Sequence, residues 1–188
     1  MSGESANFEF LRSHDLQLVR LGALAERYFR DDPGTCLIKL RQFAEVLAQL
    51  TAAKTGQFVS TEEAQADLLK RLKFQRVISP EVADLFHQIR IAGNRATHEY
   101  IGDHRSALTM LKMARQLAIW FHRTFSGNTS FRAGAFVPPP NPTDVTAELA
   151  AELERLRIAL EETRSEAERA RLAAEEQARA VLSAEEKA

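Results

Sequence analysis

The sequence predicts an all-α protein: a helical bundle of about five helices, a proline-rich linker, and a long charged helix with coiled-coil spacing. Three observations carry this. Apolar residues recur at i, i+3 and i+4 along most of the chain, and no run alternates apolar and polar residues with β-branched enrichment. Turn signals punctuate that pattern at Asp31-Asp32-Pro33-Gly34, Gly56, Ser79-Pro80 and Gly102-Asp103. After Pro142 the chain contains neither glycine nor proline. The domain organisation that follows is a bundle over 1–125, a linker over 126–142 and a helix over 143–188.

The first helix is expected from about Ser13 or Asp15 to Phe29, with Leu16, Leu21, Leu24 and Tyr28 as its apolar stripe. The second runs from about Pro33 to Lys54, with Leu37, Leu40, Phe43, Leu47 and Leu50 inward and Gly56 as its stop. Ser60-Thr61-Glu62-Glu63 reads as a capping box opening a short third helix that ends near Phe74 and carries Leu68, Leu69 and Leu72. Ser79 as N-cap and Pro80 at the first helical position start a fourth helix, reaching His98 or Tyr100. Asp103 caps a fifth, filled by Leu108, Leu111, Leu117, Trp120 and Phe121. Short connections between such helices describe a bundle.

The linker, Ser126 to Pro142, contains Pro138-Pro139-Pro140, which favours extended polyproline II. Phe131 and Phe136 are the residues that could pin it to the bundle. In the last segment, Leu149, Leu153, Leu156 and Leu160 form a seam whose spacing alternates four and three. It continues through Thr163, Ala167, Ala170, Ala174, Gln177, Val181 and Ala184, where alanine replaces leucine. Two readings stand: a helix paired with another helix, or a solvated helix held by alanine propensity and charge pairs. The end in AEEKA, without a cap, suggests a helix continuing in a longer parent chain.

Composition sets boundaries. At 45% hydrophobic residues the chain can bury a core, and no run of eighteen apolar residues exists to span a membrane. The N-terminus MSGESANFEF lacks the basic and apolar regions of a signal peptide. With a single cysteine, Cys36, no internal disulfide can form, which fits a reducing compartment, and the expected location is cytoplasmic. Cys36 lies in the apolar run CLIKL and reads as core. Charge is uneven: from Asp144 onward there are 12 acids and 7 bases, leaving residues 1–143 with 18 bases and 14 acids, net +4. That is compatible with nucleic acid but is a weak footprint for it.

One stretch concentrates polar chemistry on a core-like helix: RIAGNRATHEY, residues 90–100. Arg90, Asn94 and His98 follow i, i+4, i+8 and share a face. Gly93 costs about 1 kcal/mol against alanine in mid-helix, which suggests close approach by another backbone or a tolerated defect. An arginine and a histidine on one face could cleave RNA, histidine as general acid or base and arginine stabilising phosphorane-like charge. Alternatively Arg90, Asn94 and His98 form an interhelical polar network with Arg41 and Glu45, themselves at i, i+4. His14 leads into the first helix, His87 reads as surface, His104 as a helix start and His122 as a core-edge histidine beside Trp120 and Phe121. There is no glycine-rich phosphate loop, no H-E-x-x-H and no serine elbow, so neither a metal nor a cofactor is expected.

Four separated blocks, NFEFLRSHDLQLVRLGALAERYF, CLIKLRQFAEVLAQL, RIAGNRATHEY and ARQLAIWFHRTF, resemble the N-terminal domain of type I restriction enzyme R subunits. These are the ATP-dependent translocase and nuclease subunits of bacterial defence complexes. The resemblance covers about residues 7–140 and implies a HEPN-like helical domain followed by a helix leading toward nuclease and motor domains. Many HEPN domains are dimeric ribonucleases with an arginine four to six residues before a histidine, often followed by a polar residue. Asn94 and His98 match the polar residue and the histidine, but Gly93 stands where the arginine is expected. Arg90 lies seven residues clear of His98 and Arg95 two. The resemblance therefore implies an altered, non-catalytic module with a role in assembly, partner contact or nucleic-acid contact. Its expected partners are a second copy, another helix or other subunits of a restriction complex. The alternative is a metal-independent ribonuclease using Arg90 or Arg95 with His98.

Overall fold

Aspartate caps set three of the helix starts. In the computed structural model, which describes residues 5–99, 102–140 and 149–163, Asp15 Oδ1 accepts from the Gln17 amide at 2.6 Å and opens α1, Leu16–Asp31. Asp32 accepts from the Thr35 amide at 2.9 Å and opens α2, Pro33–Lys54, with Pro33 in its first turn. Gly56, at φ +69°, closes α2 in the left-handed region. The helix α3, Gln65–Phe74, is followed by α4, Pro80–Glu99. The Ser79 hydroxyl accepts from the Val82 amide at 3.3 Å. Asp103 accepts from the Ser106 amide at 2.9 Å and opens α5, His104–Phe125. A 3₁₀ turn, Glu9–Ser13, precedes α1. The described residues contain no strand.

The central helix is α2, packed against α1, α4 and α5, while α3 leans on α2 and α4. Phe43, Leu40, Leu47 and Cys36 on α2 are fully buried among Phe86 of α4 and Leu111, Leu117 and Phe121 of α5. Burying side chains of this kind stabilises by about 1.5–3 kcal/mol each, before entropy is charged against it.

Two local expectations are corrected. The inward face of α1 is Leu18, Val19, Leu21, Gly22, Ala25 and Phe29, whereas Leu16 and Tyr28 of the leucine-tyrosine stripe are exposed. Small residues cause the difference: a Cβ on Gly22 would lie 2.5 Å from the Phe8 ring, so the helix turns its smallest side toward the N-terminal segment. The Ser60 capping box also does not form. Ser60 accepts from the Glu62 amide at 3.0 Å, but α3 begins after Ala64, which makes no side-chain cap. Glu63 is engaged elsewhere, by Arg71 at 3.1 and 2.5 Å, a two-point charged pair that outcompetes a capping bond.

The compact unit reaches Pro140. Residues 126–140 lie along the bundle. The Arg115 guanidinium donates to the carbonyls of Gly134 and Ala135 at 2.7 and 3.2 Å, and Arg123 Nε donates to that of Phe131 at 2.8 Å. The Phe131 ring lies tilted against those of His122 and Phe10, with centroids 4.3 and 5.1 Å apart, and Phe136 packs against the core. Both linker phenylalanines thus hold the segment down. The second unit, 141–188, is helical over 149–163, here α6, and Leu149, Leu153, Leu156 and Leu160 on it are all exposed. The seam positions from Ala167 to Ala184, and the start of that helix at Thr143 or Asp144, lie outside the described residues. Among the described residues no helix is long and apolar enough to cross a membrane.

Candidate functional site

Helix α4 carries the polar stripe because its opposite face, Val82, Phe86 and Ile89, is buried. At 1.5 Å rise per residue, Arg90, Asn94 and His98 climb the helix in steps of about 6 Å. Arg90 and Asn94 turn toward α2 and α3. With Arg41, Glu45, Gln49 and Gln65 they line a cleft of about 360 Å³. Arg41 Nε donates to Glu45 Oε1 at 3.0 Å along α2, and both side chains are about one-third exposed. His98 is exposed and lines no part of this cleft. The structure thus brings together Arg41, Glu45, Arg90 and Asn94 and leaves His98 about 12 Å from Arg90 along the axis.

Gly93 is explained by the same packing. A Cβ there would stand 2.4 Å from Cβ of Arg41, so the close approach is to the stem of a side chain on α2. Three polar atoms near the cleft are buried with no hydrogen-bond partner: Nε of Arg90, and both ends of the Gln65 carboxamide. Unmet buried polar groups of this kind cost about 1–3 kcal/mol each.

A second cleft, of about 370 Å³, opens on the other side of Arg90 between α3 and α4. Lys70, Lys73, His87 and Arg90 line it, with Asp84 as its carboxylate. His87 is exposed, as its isolation in the sequence suggests, yet its Nδ1 lies 3.4 Å from Nη2 of Arg90. The i, i+3 spacing of these two was the available signal; the facing lysines depend on how α3 docks and had none. Sequence reasoning also missed a histidine pair. Nε2 of His14 meets Nδ1 of His122 at 3.0 Å, among Phe10, Phe121 and Phe131. Burial holds both imidazoles below their ordinary pKa, and for His14 the charges of His122 and Lys54 push the same way.

His104 Nε2 lies 3.0 Å from the Arg30 carbonyl, tying the start of α5 to the end of α1. Cys36 is buried in the core, and desolvation first, then the charges of Asp32 and Glu26, push its thiol up to about 12. It is a packing residue, as its apolar surroundings in the sequence indicate. Among the described residues no group of three or more histidine, cysteine or acidic side chains is placed to hold a metal ion.

Comparison with known proteins adds a relationship. Residues 24–130 match the family described as Domain of unknown function (DUF4145). The chain is also 34% identical over 136 residues to the Type I restriction enzyme EcoKI endonuclease subunit of Escherichia coli (strain K12). That alignment takes in 71% of this chain and 11% of the subunit. No solved structure gives a significant match.

Proposed function

The chain belongs to the DUF4145 family, and on that premise we propose that it is an accessory interaction module of a type I restriction system, without catalysis of its own. The observation that carries the reading is the 34% identity to a restriction endonuclease subunit over most of this chain. The bundle is the HEPN-like docking body, and the helix after the proline-rich segment is the coiled-coil element that joins it to a second copy or to other subunits. Its setting is the cytoplasm, and its biological role is restriction of foreign DNA in phage defence.

The exposed leucines support the assembly role. Leu149, Leu153, Leu156 and Leu160 stand 59%, 66%, 59% and 71% exposed, a row of apolar side chains that a partner helix would cover. The position of His98 speaks against catalysis that pairs it with Arg90. A histidine and an arginine acting on one phosphate must both come within hydrogen-bond reach of it. Arg90 and His98 are about 12 Å apart along one helix, and Arg90 lines both clefts beside α3 while His98 lines neither.

Solution mass by light scattering tests this, on residues 1–188 and on a version ending at Pro142. The expected result is a dimer for the full chain and a monomer for the shorter one. A strictly monomeric full chain that degrades RNA, at a rate lost in His98→Ala, would overturn both parts.

A further inference from the structure

We propose that the cleft between α3 and α4 is a binding site for a phosphate group, with Lys70, Lys73, His87 and Arg90 as its donors. The inference rests on the cleft alone and is independent of the assembly reading above.

Two helices supply the donors in matching pairs. Lys70 and Lys73 are one turn apart on α3, and His87 and Arg90 one turn apart on α4; all four line the same cleft. An arginine can only donate, so in the 3.4 Å contact His87 Nδ1 is the acceptor. A neutral His87 then carries its proton on Nε2 and offers a further donor. Nε of Arg90 is buried without a partner, so this guanidinium is not fully committed to a protein acceptor.

The charge balance selects the ligand. Lys70, Lys73 and Arg90 against Asp84 leave a net of +2 in the cleft. Asp67 lies 3.5 Å from Lys70, but these side chains are 67% and 80% exposed, and such a pair is weak enough to exchange for a ligand. A phosphate monoester carries about −1.5 to −2 at neutral pH, which matches that excess; two adjacent phosphodiesters of a single strand match it equally. One carboxylate supplies half of it. The volume, about 370 Å³, is at the small end of ligand sites and suits a phosphate with part of its sugar.

The test uses the full chain and three probes of similar length: a single-stranded oligonucleotide with a 5′-hydroxyl, the same strand with a 5′-phosphate, and a glutamate peptide. Binding is read by anisotropy and by the His87 imidazole signals in NMR. Both strands are expected to move the His87 signals saturably. Equal affinity identifies internal phosphodiesters, and tighter binding of the phosphorylated strand identifies the monoester. Lys70→Gln with Lys73→Gln, both on exposed positions, should weaken binding at least about tenfold and lower the slope of log K against log salt by about 1.4–1.8. Arg20→Gln on α1 should change neither. The proposal is overturned if His87 does not respond to either strand, if the double variant binds like the parent, if Arg20→Gln weakens binding equally, or if the peptide binds as tightly as the oligonucleotides.

Discussion

His14 on the approach to α1 and His122 on α5 face each other at 3.0 Å, 108 residues apart in sequence, with one ring nitrogen donating to the other. That contact needs at least one imidazole neutral, since two imidazoliums would present only donors and repel. Phe131 lies on His122 and Phe121 against His14, so water has limited access. Both pKa values are lowered in the folded protein, so below the ordinary imidazole range, about 6.5, the unfolded chain binds more protons. Stability contributed here is complete above that value and is lost as pH falls from it through the lowered folded values. Urea unfolding between pH 7.5 and 5.5 should show a decline of at most about 1.4 kcal/mol per pH unit for each histidine kept neutral, less for the part that water screens. His14→Gln with His122→Gln should flatten the profile; an unchanged slope in that variant would rule out the pair as its source.

Gly93→Ala should destabilise the bundle. Alanine gains about 1 kcal/mol of helix propensity, but its Cβ would sit 2.4 Å from Cβ of Arg41, an atom fixed to the α2 backbone. Overpacking of this kind costs about 1–3 kcal/mol, so the net loss is up to about 2 kcal/mol. Chemical denaturation of the two proteins decides it. A stability gain of 1 kcal/mol would mean α2 and α4 part freely.

Asn7 should prove the clasp for residues 126–140. Its Nδ2 donates to the Val137 carbonyl at 2.8 Å and to Glu26 Oε1 at 2.7 Å, and its Oδ1 accepts from the Val137 amide at 2.9 Å. The side chain is 2% exposed. Asn7→Ala should cost about 2–3 kcal/mol and speed tryptic cleavage after Arg132, which is exposed on the clasped segment. Cleavage at the parental rate would show that Arg115, Arg123, Phe131 and Phe136 hold the segment without Asn7.

Cys36 should be silent toward thiol reagents in the native protein. With its thiol pushed up to about 12, the thiolate fraction at pH 8 is about one in ten thousand, and the core shields what exists. Labelling by a disulfide reagent should follow global unfolding and become immediate in strong denaturant. Rapid native labelling would place a fast opening between α2 and its neighbours.

Most element boundaries were legible because caps and breakers act within a few residues. Asp15, Asp32 and Asp103 each find amides two or three positions ahead, and Gly56 needs only its own φ. The failure at Ser60 shows the limit of local logic, since Glu63 had a second suitor in Arg71, eight residues on. The α1 stripe failed differently, at Leu16 and Tyr28. Counting large side chains overlooked Gly22 and Ala25, whose smallness is what lets Phe8 pack.

The candidate site divides along the same line. That Arg90, Asn94 and His98 share a helix face, and that Arg41 and Glu45 pair on another, follows from the 3.6-residue period and was determined by the sequence. Which of them meet was decided by the packing of α2, α3 and α4. Arg90 and Asn94 enter the clefts beside α3, while His98, two turns beyond Arg90, passes the end of that contact into solvent. The apposition of Lys70 and Lys73 with His87, and of His14 with His122, was likewise settled only by tertiary structure. Periodicity specifies which residues share a face, whereas the partner of a face depends on crossing angle and axial offset, which the summed packing of the core sets.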